Sequence, residues 1–268
     1  MTLVVDFLDA VAATVKRDAA IFASYRLRFV SQILAMLFTL TMFFYVSKLV
    51  RPGAVGPHGS YYAFAVVGIV IMSVLTSALS TSQVVRMELM QGSFERLLIS
   101  PLGPVGGVVA VAAFPILYSM VFAGVMLALS VGIFGIPLHV LGIPAALVIA
   151  ALGAVAFACI GLLFVAALLA FKSGQGGTWA IAALTLLGGA YFPIRLFPGW
   201  IRWTSEVQPF TPTVDLLRHF LVGTPTVQPV WLEIVKLGAF TAVLIPLSAA
   251  ALSFAVSWGR RAGTITEY

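Results

Sequence analysis

Residues 86–104 read RMELMQGSFERLLISPLGP, a charged island between two long apolar runs, and its reading decides the fold. Arg86, Glu88, Glu95 and Arg96 fall within eleven positions. Each costs roughly 2.5–3.5 kcal/mol at a bilayer centre, so together they oppose insertion by about 10 kcal/mol. The island is therefore aqueous, and the runs on either side are read as crossings. Met87, Met90, Phe94, Leu97 and Leu98 recur at helical spacing within it, which predicts a short amphipathic helix with one apolar face. Such an element beside a membrane is suited to docking another protein.

Working outward, the chain has 268 residues, 61% of them apolar and 9% charged, with a mean hydropathy of +1.10. Soluble domains carry roughly 25% charge, so the expected fold is an all-α membrane protein. Six apolar stretches read as transmembrane helices, over Phe29–Ser47, Tyr61–Val85, Val105–Phe134, Ile143–Phe171, Thr178–Tyr191 and Ile234–Trp258. The fifth is short. Residues 1–28 form a different unit. Val4, Phe7, Leu8, Val11, Val15 and Phe22 make one stripe, with Asp6, Asp9, Arg17 and Asp18 off it. The reading is an N-terminal amphipathic helix along the cytoplasmic interface. Acidic residues precede the first apolar run, unlike a cleavable signal peptide. Residues 29–258 form the membrane domain and 259–268 a cytoplasmic tail.

Basic residues set the direction. With the N-terminus inside, Lys16, Arg17, Arg26, Arg28, Arg86, Arg96, Lys172, Arg260 and Arg261 are cytoplasmic. Lys48, Arg51, Arg195, Arg202 and Arg218 are outside, with Lys236 near the outer end of the last helix. The bias favours both termini inside, in a multi-pass protein of the cell membrane. Trp200, Trp203 and Trp231 mark one interface, Trp179 and Trp258 the other. The outer stretch 192–230 holds six prolines among aromatics and leucines. It is too broken for one helix and too apolar for a solvated loop, and is read as re-entrant short helices at the outer face.

Several chemistries find no residues. The first five spans contain no ionisable residue as drawn, which disfavours ion-coupled carriers. Glu233 and Lys236, three residues apart at the outer end of the last span, are read as a local pair. His58, His139 and His219 lack metal-ligand company, so neither a metal site nor catalysis is expected. Cys159 is a small apolar filler. The cluster from Lys172 to Thr178 lacks the Gly-Lys-Ser/Thr ending of a phosphate loop and reads as a tight turn. The chain therefore does not hydrolyse ATP itself. The charge of +6 is spread along the sequence and does not indicate nucleic acid.

Two motifs resemble a known family. Glu88, Gly92-Ser93-Phe94-Glu95, Leu97 and Ser100-Pro101 resemble the E-x-x-x-G-T-x-E-x-L-x-x-S/T-P signature of ABC-2 type transporter permeases. The stretch from Tyr191-Phe192-Pro193 through Pro198 and Trp200 to Pro209-Phe210-Thr211-Pro212, Asp215 and Arg218 is similar to the segment after the fifth helix of drug-exporter members. Ser93 stands where the family has Thr, and either hydroxyl can cap a helix. Met90 stands where a second acidic residue often occurs.

The resemblance implies a dimer of this permease, or a pair with a related one, joined to two separate P-loop ATPase subunits. Those subunits would bind ATP and Mg, and this chain would carry no cofactor. Segment 86–101 would be the coupling helix, through Glu88, Gly92, Ser93, Phe94, Glu95, Arg96, Leu97 and Pro101. Phe192, Pro193, Pro198, Trp200, Pro209, Phe210, Pro212 and Arg218 would belong to an outer gate. The aromatics Phe38, Phe43, Phe44 and Tyr45 of the first span, with Tyr61 and Tyr62 of the second, are candidates for a substrate path. Such a lining suits hydrophobic or amphipathic cargo, such as a drug, an antibiotic or a lipid-linked molecule. A lipid-linked polysaccharide exporter of the same architecture is the alternative, ahead of a non-ABC carrier or an assembly factor.

Overall fold

The computed structural model describes residues 2–50, 61–90, 103–171 and 176–261. All regular structure among them is helical. The α-helices are α1 (Thr2–Ser24), α2 (Arg26–Leu49), α3 (Tyr61–Met90), α4 (Gly103–Phe134), α5 (Ile143–Phe171), α6 (Gly176–Leu187), α7 (Gly199–Arg202), α8 (Phe210–Val222) and α9 (Val230–Arg261). The end of the bundle holding Tyr61, Ile143 and Val230 is called upper below, and the end holding Met90 and Phe171 lower.

Among the described residues, five helices are long and apolar enough to cross a membrane: α2, α3, α4, α5 and α9. The expected fifth span, Thr178–Tyr191, instead contains α6, with 12 residues. At 1.5 Å per residue it is about 18 Å long, against roughly 30 Å of hydrocarbon. The break has a local cause. Gly188 and Gly189 follow, and Gly189 has φ +77°, a left-handed conformation that side chains disfavour.

Small residues let the helices approach closely. At Gly161 of α5 a Cβ would lie 2.2 Å from the carbonyl oxygen of Ala78 on α3, and at Gly153 it would meet Thr213 of α8 at 2.5 Å. Without a hydrophobic drive in lipid, close packing of this kind is a main contribution to holding such helices together. The main core gathers Leu40, Leu75, Phe157, Phe210 and Leu237. A second cluster at the lower end joins Val85, Leu89, Val108, Leu162 and Leu252.

The N-terminal segment is helical as far as Ser24 and packs on α4 through Phe22, whose ring lies 4.5 Å from Tyr118. Val11, Val15 and Phe22 of the predicted stripe are half-buried. The two tryptophan groups sit at opposite ends. Trp231 and Trp258 are exposed near the two ends of α9. Their 27-residue separation is about 40 Å of helix, the thickness of a bilayer with its headgroup regions.

Candidate functional site

The region after α6 is built around one buried cation. Arg218, on the third turn of α8, is 2% exposed. Its Nε donates to Phe64 O at 3.1 Å, Nη1 to Gly189 O at 2.9 Å and Nη2 to Ala190 O at 2.7 Å. The guanidinium carbon lies 3.3 Å from the centre of the Phe64 ring. A planar fork of five donors suits this site, and an ammonium would not fill it. The three carbonyls come from α3 and from the turn after α6, so one side chain staples three segments. Gly68 makes room for it: a Cβ there would lie 2.0 Å from Ala190 O and 2.7 Å from Arg218 Nη2.

Below the staple, α8 starts deep in the bundle. Phe210 is fully buried with its ring 5.9 Å from Phe157, and Phe220 packs at Gly142 at the upper end of α5. Phe157 and Gly142 are about 22 Å apart along α5, so α8 climbs antiparallel to α5 through the upper half of the bundle. Gln208 fixes the corner. In the amide orientation that satisfies both of its ends, it donates to Leu184 O at 3.2 Å and accepts from Gly188 N–H at 2.9 Å. Thr213 Oγ1 donates to Pro209 O at 2.7 Å, serving a carbonyl at the start of α8.

Charges surround this joint. Gln228 Nε2 donates to both carboxylate oxygens of Glu206 at 2.9 Å, and Lys236 forms an ion pair with the same carboxylate. The predicted local pair of Glu233 with Lys236 is thus replaced by one with Glu206. The reason is the chain reversal, which brings Glu206 against the first turns of α9. Asp215 Oδ2 accepts from Val227 N–H at 3.1 Å. Burial pushes Asp215 above its ordinary value, with Arg218 opposing. Burial lowers Arg218 to about 9, with Asp215 and Tyr61 opposing. A guanidinium keeps its proton at neutral pH.

The structure divides the predicted residues. Of the gate set, Pro209, Phe210, Pro212 and Arg218 meet in the buried joint, and Pro193 is half-buried at the start of the Ile194–Leu196 turn. Phe192, Pro198 and Trp200 are exposed. Of the coupling set, Glu88 lies half-buried in the last turns of α3, with Met87 and Met90 exposed and Leu89 buried beside it. Residues 86–90 continue α3 rather than opening a new helix, because no Gly or Pro interrupts the chain before Gly92. Gly92, Ser93, Phe94, Glu95, Arg96, Leu97 and Pro101 lie outside the described residues.

The path set also separates. Phe44 and Tyr62 pack with Phe134, with ring centroids 5.1–5.4 Å apart. Phe38 and Tyr45 point outward from α2, and Tyr61 is half-buried at the upper end of α3. Phe43 borders a crevice of 420 Å³ between α2, α3 and α4. The other side of that crevice is Ser73, Thr76 and Ser77 of α3. These hydroxyls were missed because serine and threonine are common in membrane helices. Their recurrence with Ser80 on one face was the readable signal.

Five long apolar helices without a metal-type cluster among the described residues define a multi-pass helical membrane protein. The family described as ABC-2 type transporter matches residues 11–222, from α1 to the end of α8, and the chain belongs to that family. It is a membrane-embedded permease subunit of an ABC transporter, not itself catalytic, and its family works with an ATP-binding cassette partner. No curated protein matches the chain.

Proposed function

We propose that this permease is an exporter, moving hydrophobic or amphipathic cargo outward by alternating access driven by two copies of a separate P-loop ATPase. The observation that carries the reading is the family match over α1–α8. The lower end of α3 supports it, since Met87 and Met90 stand exposed where the charged island begins. Exposed methionines beside a charged rim are what a protein partner's groove accepts.

In this reading the lower end is cytoplasmic and the upper end external. Arg218 and Lys236 are tied up by carbonyls and a carboxylate. Lys48, Arg51, Arg195 and Arg202 are the other basic residues of the external side, and the count favours the cytoplasm for the lower end. Segment 86–101 is the coupling element in this reading, with Phe94 or Leu97 as apolar anchor and Glu88, Glu95 and Arg96 as its charged rim. The ATPase pair binds ATP and Mg, and its closure rocks two permeases, identical or related, about their interface. The segment from Phe192 to α8 re-enters the outer leaflet and forms the exit. A lipid-linked glycan is the second cargo class that this architecture accepts.

The test is reconstitution with the partner ATPase. Phe94→Asp and Glu95→Lys are expected to leave the permease inserted and folded, to lower ATPase association at least tenfold, and to abolish ATP-driven transport. Wild-type association and transport in both variants would remove the coupling assignment.

A further inference from the structure

One face of α3 is unlike the rest. The helix is buried on most sides, and its half-buried positions Ile69, Met72, Ser73, Thr76, Ser77 and Ser80 form a single stripe rich in hydroxyls. This stripe faces two crevices of 370 and 420 Å³ that share Gln32, Ser77 and Tyr118. The shared residues make the two crevices one groove. From Val84 in the lower reach to Ile69 in the upper it runs about 22 Å along α3.

The opposite wall is aromatic. On α4 the rings of Phe114, Tyr118 and Phe122 follow one another at 6.0 Å, with interplanar angles of 27° and 26°. Phe22 of α1 joins this ladder at Tyr118. Tyr118 Oη donates to Gln32 Oε1 at 2.5 Å and bridges α4 to α2 at the waist. The hydroxyls of Ser73, Thr76 and Ser80 donate to carbonyls of their own helix, so what they present to the groove is oxygen lone pairs. Among the described residues, the charged side chain in the lining is Asp18, at the lower mouth, and no Lys or Arg lines either crevice. Among the described residues Asp18 is paired at 2.8 Å with its exposed neighbour Arg17, a contact of little strength in water.

We propose that this groove, complete within one protomer, binds an amphipathic organic cation: a flat apolar body lies along the aromatic ladder and its positive group sits at Asp18. The chemistry follows from the lining. Ring faces are negative and attract cations, hydroxyl and amide oxygens accept from an ammonium, and the mouth carries a carboxylate. Among the described lining residues an anion would meet no cationic side chain. The groove fits the concave, mostly apolar sites with few polar groups in which small molecules are held. As a cargo site the groove rests on the transport reading above, with the mouth on the cytoplasmic side. As a binding site it stands alone.

The test uses the purified full chain in lipid nanodiscs without ATPase or nucleotide, titrated with the cationic dye rhodamine 6G and the anionic dye 8-anilinonaphthalene-1-sulfonate. Rhodamine 6G is expected to saturate at one per chain, with the anion at least tenfold weaker. Asp18→Asn should weaken the cation at least fivefold. Ser77→Phe, which fills the waist, should reduce binding at least tenfold while leaving thermal unfolding unchanged. Linear partitioning of the dye, equal binding of both dyes, or wild-type affinity in both variants would overturn the site. In the complete transporter, saturable binding without ATP-driven movement of the dye would keep the site and overturn its assignment to cargo.

Discussion

Replacing Arg218 by Leu is expected to destabilise the protein by about 4 kcal/mol, because a buried carbonyl left without its donor costs about 1–3 kcal/mol and three lose theirs together. Phe64 O, Gly189 O and Ala190 O face a fully enclosed guanidinium, and Leu donates nothing. Arg218→Lys should recover less than half of the loss, since an ammonium cannot reach three carbonyls in the geometry of the fork. The measurement is convenient in this chain. Cys159 is its sole cysteine and is buried, so a thiol-reactive dye reports unfolding in detergent directly. A loss below about 1 kcal/mol, the scale of one ordinary hydrogen bond, would show that the staple carries little of the structure.

The second large effect is expected at the crossing of α3 and α5. Gly161→Val places a branched side chain where even a Cβ would sit 2.2 Å from Ala78 O. That oxygen belongs to helix backbone, so one of the two helices must move. Overpacking of this kind costs typically about 1–3 kcal/mol, occasionally more. The top of that range is expected here, because close packing is a main contribution to cohesion between membrane helices. Gly124→Val is the control: a Cβ at Gly124 meets nothing within 4 Å. Equal thermal behaviour of the two variants in the Cys159 assay would contradict the close-crossing account.

These sites differ in how far the sequence revealed them. The α5 helix was legible to the residue, Ile143–Phe171, because Gly142-Ile-Pro144 opens it and an uninterrupted apolar run continues it. The family resemblance was equally legible, since its motifs are contiguous. The length of α6 was not, because Gly188-Gly-Ala-Tyr continues the apolar run while the backbone turns at Gly189. Arg218 read as an outer basic residue, for its partners lie 28, 29 and 154 residues away and no local pattern announces them. Lys236 was assigned to the wrong carboxylate for the same reason. Helical spacing sees three residues along α9, whereas Glu206 arrives from another element. The groove shows the opposite failure. Its hydroxyl stripe was present in plain spacing and was passed over because each serine has an ordinary explanation.

The staple also has a mechanical consequence. Through Arg218, α8 and the turn after α6 are fastened to α3, which runs unbroken for 30 residues, or about 45 Å. At its far end stand Met87, Glu88 and Met90. The upper hairpin is therefore no free lid on a hinge. It rides on a stiff rod whose other end lies beside the charged island. A pivot of about 5° near one end of a 45 Å rod carries the other end about 4 Å, given the helix rise. A stroke at one surface thus reaches the other with no soft joint between them to absorb it.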